Sequence, residues 1–199
     1  MAEDIVTKDK IKDAALKLFQ QKGFAGTKTR DIAIEAGTNV ALLNYYFSSK
    51  EKLCEIVMEE SLRKVFLGLE GAFRKSTVEE KLESIVNNYF DILLKNPDLP
   101  LFVFREIQAG ATGFFDKSGI SPGLISQSTF VKQLGEELNV KNPLQIMLNI
   151  LALVIFPFIA KPIWMRVADM DENGFTAFVE ERRTLIPAWV KLLINTESK

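Results

Sequence analysis

Histidine is absent from this chain, and cysteine occurs once, at Cys54, among 199 residues. These scarcities remove the usual zinc sets and the histidine-activated nucleophiles, which need imidazole or several thiolates. A lone cysteine also excludes an intramolecular disulfide framework and is the pattern expected of a reducing cytoplasm. No Asp/Glu pair stands in a context that marks it for acid–base chemistry, so the expectation is a protein that is not an enzyme and needs no cofactor. The opening MAEDIVTKDK mixes both charges and has no secretory pattern. Strand alternation, internal repeats and low-complexity tracts are missing too.

Long apolar runs are limited to one. NPLQIMLNILALVIFPFIA, residues 142–160, is uncharged over 19 residues, close to spanning length. Asn142, Gln145, Asn149 and two prolines interrupt it, and no basic cluster flanks one side, so a buried helix and no membrane are expected. A dominant charge is lacking as well. The net charge is −1, made of +2 over residues 1–50 (eight Lys/Arg against six Asp/Glu) and −3 over the remainder (17 against 20). That polarity is too weak to identify a partner.

What is present is helical periodicity. Ile11, Ala14, Ala15, Leu18 and Phe19 form one stripe of a 3.6-residue period, predicting a helix over 7–22 with Thr7 as its cap and Gly23 as its stop. Thr27 or Thr29 is expected to open a short second helix with Ile32, Ala33 and Ala36 inward, closed by Gly37. Asn39 is suited to cap a third helix from Val40. Ser48 with Glu51 reads as a capping box for a long fourth helix from about Ser49 to Lys75, and Thr77 with Glu80 as another for a fifth, ending before Pro97. Further helices are expected over 99–110, 122–138, 143–160 and 174–194, the last carrying Pro187, with GATGFFDKSGISPG as a loop. The fold class is all-α.

Two short helices joined by a glycine-containing turn make a helix-turn-helix, whose second helix offers its N-terminal part to base edges. In VALLNYYF, Leu43 and Phe47 face inward and Val40, Ala41 and Asn44 lie opposite. Small apolar groups there suit thymine methyls, and an asparagine suits adenine N6 and N7. Tyr45, Tyr46 and Lys50 stand within reach of flanking phosphates.

The order of parts in LFQQKGFAGTKTRDIAIEAGTNVALLNYYFSSKEKL resembles the tetracycline-repressor (TetR) family of transcriptional regulators. The resemblance covers residues 7–53 and implies a helix-turn-helix DNA-binding domain over 1–53. It implies a helical effector-binding and dimerisation domain over 54–199. The partners it implies are double-stranded operator DNA, a second copy in a homodimer, and a small apolar or aromatic effector. Thr29 and Arg30 match the start of the family's second helix, where it contacts DNA. Val40, Ala41 and Asn44 match base-facing positions, Tyr45 and Tyr46 backbone contacts, and Lys50 a phosphate contact. Val40 stands where many members carry a polar or basic residue and Asn44 where an aromatic is common, which leaves the operator sequence open.

For the second domain, Phe66, Tyr89, Phe90, Phe102, Arg105 and Met147 are the candidate effector contacts, in a region also rich in Phe73, Phe104, Phe114, Phe115, Phe130 and Phe156. Phe178, Arg182, Ile186, Trp189, Val190 and Leu193 approximate a stripe on the final helix and are the candidate dimer interface, together with the apolar 143–160 helix. The reading is a ligand-responsive repressor on a palindromic operator. Its alternatives are an operator-binding protein with no effector, and a helical enzyme or adaptor whose helix-turn-helix is incidental.

Overall fold

The computed structural model describes residues 2–108 and 123–197. Every regular element among them is a helix: α1 (Ala2–Gly26), α2 (Thr29–Glu35), α3 (Val40–Phe47), α4 (Lys50–Phe73), α5 (Val78–Lys95), α6 (Leu99–Gln108), α7 (Thr129–Glu136), α8 (Pro143–Ile159), α9 (Lys161–Val167) and α10 (Glu172–Glu197). They fall into two compact units. One holds residues 2–63 and 101–108, the other residues 64–100 and 123–197. Of the predicted loop over 110–123, residues 110–122, with Phe114 and Phe115, lie outside the described residues.

The first unit is built around the periodic stripe of α1. Ile11, Ala15 and Phe19 are fully buried with Ile32 and Leu43, and Phe19 stacks on Phe102 of α6 at 6.3 Å between ring centroids. The helix begins at Ala2 rather than at Thr7, so residues expected to precede it form its first turns. Gly23 breaks it with φ 70° and ψ 171°, a region that disfavours residues with a Cβ. Gly37, at φ 66°, closes α2 in a Schellman arrangement: Thr38 N–H donates to Ala33 O at 2.8 Å and Gly37 N–H to Ile34 O at 3.1 Å.

Two capping expectations need correction, although Thr29 is, as one alternative had it, the first residue of α2. Lys28 is the N-cap of α2, and it makes no side-chain cap bond. Thr27 instead is buried, its hydroxyl donating to Gly23 O at 2.8 Å and Leu18 O at 3.2 Å, because the break at Gly23 leaves those carbonyls short of helical partners. Ser48 does not open α4. It closes α3 at φ 64°, and the neighbouring Ser49 hydroxyl accepts from Lys52 N–H at 3.1 Å. The Asn39 cap is as expected, accepting from Leu42 N–H at 2.8 Å, and so is the Thr77–Glu80 capping box.

In the second unit Leu82, Ile85, Val86 and Phe90 of α5 pack with Ile146, Ile150 and Val154 of α8 and with Val179, Ile186 and Val190 of α10. Phe158 bridges Phe90 and Phe175, with centroids at 6.1 and 5.9 Å. Arg183 crosses from α10 to α5, donating to Asp91 at 2.8 Å and to Asn87 O at 3.0 Å. Two boundaries differ from expectation here. The helix predicted over 122–138 is only Thr129–Glu136, since Gly123 at φ 80° and the turns that follow it precede the Ser128 cap. Lys161–Val167 forms a short helix that periodicity does not reveal, because it has no buried residue. The axes of α8 and α9 differ by 66°, and no single described helix is long and apolar enough to cross a membrane.

Thr27→Val removes a hydroxyl that serves one buried and one part-buried carbonyl while keeping the volume. It should cost about 1–3 kcal/mol in urea unfolding, with Thr27→Ser recovering most of it. An unchanged midpoint for Thr27→Val would show that the hydroxyl contributes nothing.

Candidate nucleic-acid interface

The local chemistry of residues 27–50 turns one face of α3 outward. Leu43 and Phe47, four apart, are buried, so the same 3.6-residue period leaves Ala41, Asn44 and Tyr45 exposed and Val40 half-buried. Asn39 consumes one of the free N–H groups at the start of α3, and the remaining ones point along the helix axis away from the core. Thr29 and Arg30 open α2, the first half-buried and the second exposed.

The aromatic run is arranged as a small edge-on ladder. Tyr45 and Tyr46 meet at 5.2 Å and 69°, and Tyr46 and Phe47 at 6.4 Å and 63°. Tyr45 is 78% exposed, unusual for a ring with no polar partner around it. Tyr46 is anchored from α1: its hydroxyl donates to Asp4 Oδ1 at 2.7 Å, and Lys8 Nζ lies 5.3 Å from its ring centroid. That bond holds the Asp4 carboxyl below the usual carboxylate range and pushes the Tyr46 phenol up. Asp4 and Lys8 are neighbours that sequence reading misses, because it starts the first helix at Thr7. Their signal is the Asp4–Lys8 spacing of four on a helix begun earlier.

Lys50 is placed differently from a free surface cation. Its ammonium donates to Thr27 O at 2.9 Å and Phe24 O at 3.0 Å and sits 4.0 Å from the centroid of the Phe24 ring. Two of its three protons therefore secure the α1–α2 corner, and one remains for another acceptor. Lys17 and Glu35 add an ion pair between α1 and α2 at 2.5 Å, and Lys12 and Glu60 one between α1 and α4 at 2.9 Å.

The candidate effector residues are not brought together as a set. Tyr89 and Phe90 on α5 and Met147 on α8 are buried in the second unit, and burial pushes the Tyr89 phenol up. Phe102 belongs to the core of the first unit against Phe19, and Arg105 is exposed. The Phe66 side chain lies outside the described residues. Of the candidate interface on α10, Ile186 and Val190 are corrected to core positions: both are fully buried among α5 and α8 within one chain. The stripe read from the sequence merges two adjacent faces of one helix. Its outer face carries Arg182, Trp189, Leu192 and Leu193, beside a half-buried Phe178 that touches Trp164 at 5.7 Å. Arg182 donates to Leu153 O at 3.0 Å and stacks 5.3 Å from Trp189. No cluster of potential metal ligands occurs among the described residues.

With this geometry in place, the comparisons with known proteins are informative. Residues 11–57 match the profile of the tetR family of bacterial regulatory proteins. The probable HTH-type transcriptional regulator YttP of Bacillus subtilis is 38% identical over 111 residues, which are 54% of each chain. The HTH-type transcriptional repressor NicS of Pseudomonas putida is 33% identical over 102 residues, 50% of this chain and 48% of that one. The chain thus spans about half the length of the curated relatives it matches. Among solved structures, a tetR-family regulatory protein from Rhodococcus RHA1 superimposes with a TM-score of 0.69 at 18% identity, covering 92% of this chain and 96% of that one. The TetR family regulator PfmR of Thermus thermophilus does so with a TM-score of 0.67 at 19% identity, covering 89% and 97%. At those identities the superpositions establish the helical fold, while the profile and the curated relatives establish the N-terminal kinship. Residues 11–57 thus carry the N-terminal domain of the tetR family of bacterial regulatory proteins, and the chain is similar to regulators of that family.

Proposed function

We propose that the protein is a repressor that binds a palindromic operator as a homodimer, each copy laying α3 in the major groove. The observation that carries the reading is the outward face of α3, where Ala41, Asn44 and Tyr45 are exposed beside a capped helix start. Asn44 has an amide that can bond adenine N6 and N7 together, and Val40 and Ala41 offer apolar contact to thymine methyls. Thr29, Arg30 and Tyr45 border that face and supply hydroxyl or guanidinium donors for phosphates, while Tyr46, matched to a backbone contact, has its hydroxyl proton engaged by Asp4. Lys50 offers its third proton to the backbone while its other two hold the corner that sets α2 and α3. Repression by occupancy is the mode we favour, in line with the name of the Pseudomonas relative.

Dimerisation is assigned to α8 and α10. On α8 the residues Gln145, Leu148, Asn149, Ala152 and Phe156 recur at helical spacing on the side away from the core, with Leu148 and Phe156 both exposed. Beside them Trp189, Leu192 and Leu193 of α10 extend the apolar surface. Two helices from each copy then form a four-helix interface about a two-fold axis. A second reading concerns the effector. An apolar or aromatic ligand is the family expectation, but Phe90, Phe102 and Met147 are packed as core. That packing favours operator binding with no such effector. A thermal-shift screen of apolar compounds, each hit titrated against the protein–operator complex, separates the two: a stabilising compound that releases operator restores the ligand-responsive reading.

Asn44→Ala should cost roughly 1–3 kcal/mol on the operator and relax preference at one base pair per half-site. Lys50→Ala should weaken binding to all duplexes alike and also lower the thermal midpoint, since it removes the corner bonds. Equal losses on operator and random DNA for Asn44→Ala would overturn its base-reading role.

Leu193→Asp should leave a folded monomer with little operator affinity, because it sets an unpaired charge in the interface. Val190→Asp should unfold the chain, because it sets one in the core. Sedimentation and circular dichroism together distinguish the outcomes, and a dimeric Leu193→Asp protein would move the interface elsewhere.

A further inference from the structure

A cavity of about 470 Å3 in the second unit, between the turn after α4 and the exposed side of α7, is lined by Arg74, Lys75, Lys81 and Lys132 with Thr129 and Gln133. Four cations and no carboxylate line it, in a chain whose net charge is −1. Among the described residues none of the four makes an ion pair with a carboxylate. Of the acids beside them, Glu80 acts electrostatically on Lys75 without forming an ion pair with it. Glu80 accepts from the backbone N–H groups of Ser76 and Thr77 at 3.1 and 3.2 Å, and Glu137 accepts from Gln133 Nε2 at 3.1 Å.

Lys81 at the cavity floor is the informative residue. It is only 2% exposed, yet its ammonium meets neutral acceptors alone: Gln133 Oε1 at 2.5 Å and Ser76 O at 3.3 Å. Two hydrogen bonds tie the α4–α5 turn to α7, but they leave the charge uncompensated. A cation held only by neutral acceptors at the floor of an open cavity keeps its full charge available to an anion from solvent. No side chain provides a counter-ion, and three more cations stand around the opening. Thr129 does not compete, since its hydroxyl donates to Phe73 O.

We propose that this cavity binds a small phosphate-bearing molecule, whose oxyanion supplies the missing charge beside Lys81. Arg74 and Lys132 would grip it from the rim by charge-assisted bonds. Phe73, at the edge of the apolar core, also lines the cavity, while none of the candidate effector contacts does. The open side of the cavity suits a ligand whose uncharged part stays in solvent.

The test is titration calorimetry of the full chain with inorganic pyrophosphate at fixed ionic strength. Saturable binding of one pyrophosphate per chain is expected, with a rise in thermal midpoint that an equal ionic strength of potassium chloride does not reproduce. Arg74→Gln and Lys132→Gln change exposed residues and should keep the fold. Each should weaken pyrophosphate at least about tenfold, the loss expected for one charge-assisted bond. Arg166→Gln, on the distant α9, should leave the affinity unchanged. Lys81→Met should abolish binding if it folds, and the rim variants decide the matter if it does not. Heat effects that follow ionic strength alone, or rim variants with wild-type affinity, would overturn the proposal. So would an Arg166→Gln loss equal to theirs, or rim variants that lose only random-sequence DNA, which would mark a nucleic-acid surface.

Discussion

The geometry of the first unit depends on one helix break at Gly23. A helix that stopped there without compensation would leave its last carbonyls bare, and the following turn would be free to swing. Two side chains from later in the chain prevent this. The Thr27 hydroxyl satisfies Leu18 O and Gly23 O, and the Lys50 ammonium satisfies Phe24 O and Thr27 O while resting on the Phe24 ring. Because Lys50 also begins α4, the corner between α1 and α2 is set by the same residue that follows α3. The direction of α3, and with it the exposure of Asn44, rests on the burial of Leu43 and Phe47 together with these charge-assisted and hydroxyl bonds.

Tyr46 shows how that small unit shares its polar groups. Its ring belongs to the ladder at the end of α3, and its hydroxyl reaches back to Asp4 near the start of α1. A carboxylate at the phenol occupies the place of an acceptor that a phosphate oxygen would otherwise take. The extension of α1 to Ala2 thus brings a negative group and, at Lys8, a positive one to the border of the exposed face.

In the second unit the deciding constraint is how two sides of α10 divide the work. Phe175, Val179, Ile186 and Val190 close the core against α5 and α8, and Arg183 locks that face to Asp91. The adjacent side, with Trp189, Leu192 and Leu193, stays exposed and largely apolar among the described residues, as does the Leu148–Phe156 side of α8. The cavity beside α7 is different in kind. There the buried Lys81 and its cationic neighbours concentrate positive charge around a cavity that apolar packing has not filled.

The sequence by itself determined the helical class, the helix-turn-helix and its inward residues, since Leu43 and Phe47 or Ile11 and Phe19 obey a period that any helix must follow. Caps whose partner lies three residues away, Asn39 and the Thr77–Glu80 pair, were legible for the same reason: the interaction is local. Thr27 was misread as a cap because a hydroxyl can serve an N–H ahead of it or a carbonyl behind it, and only the break at Gly23 selects the second. Long-range partners were invisible, among them Asp4 for Tyr46, the carbonyls of the corner for Lys50, and Gln133 for Lys81. The same limit explains α10, where Ile186 and Val190 share a continuous apolar arc with Trp189 and Leu193. Periodicity locates the arc, but only packing against α5 and α8 decides which part becomes core and which is left for a partner.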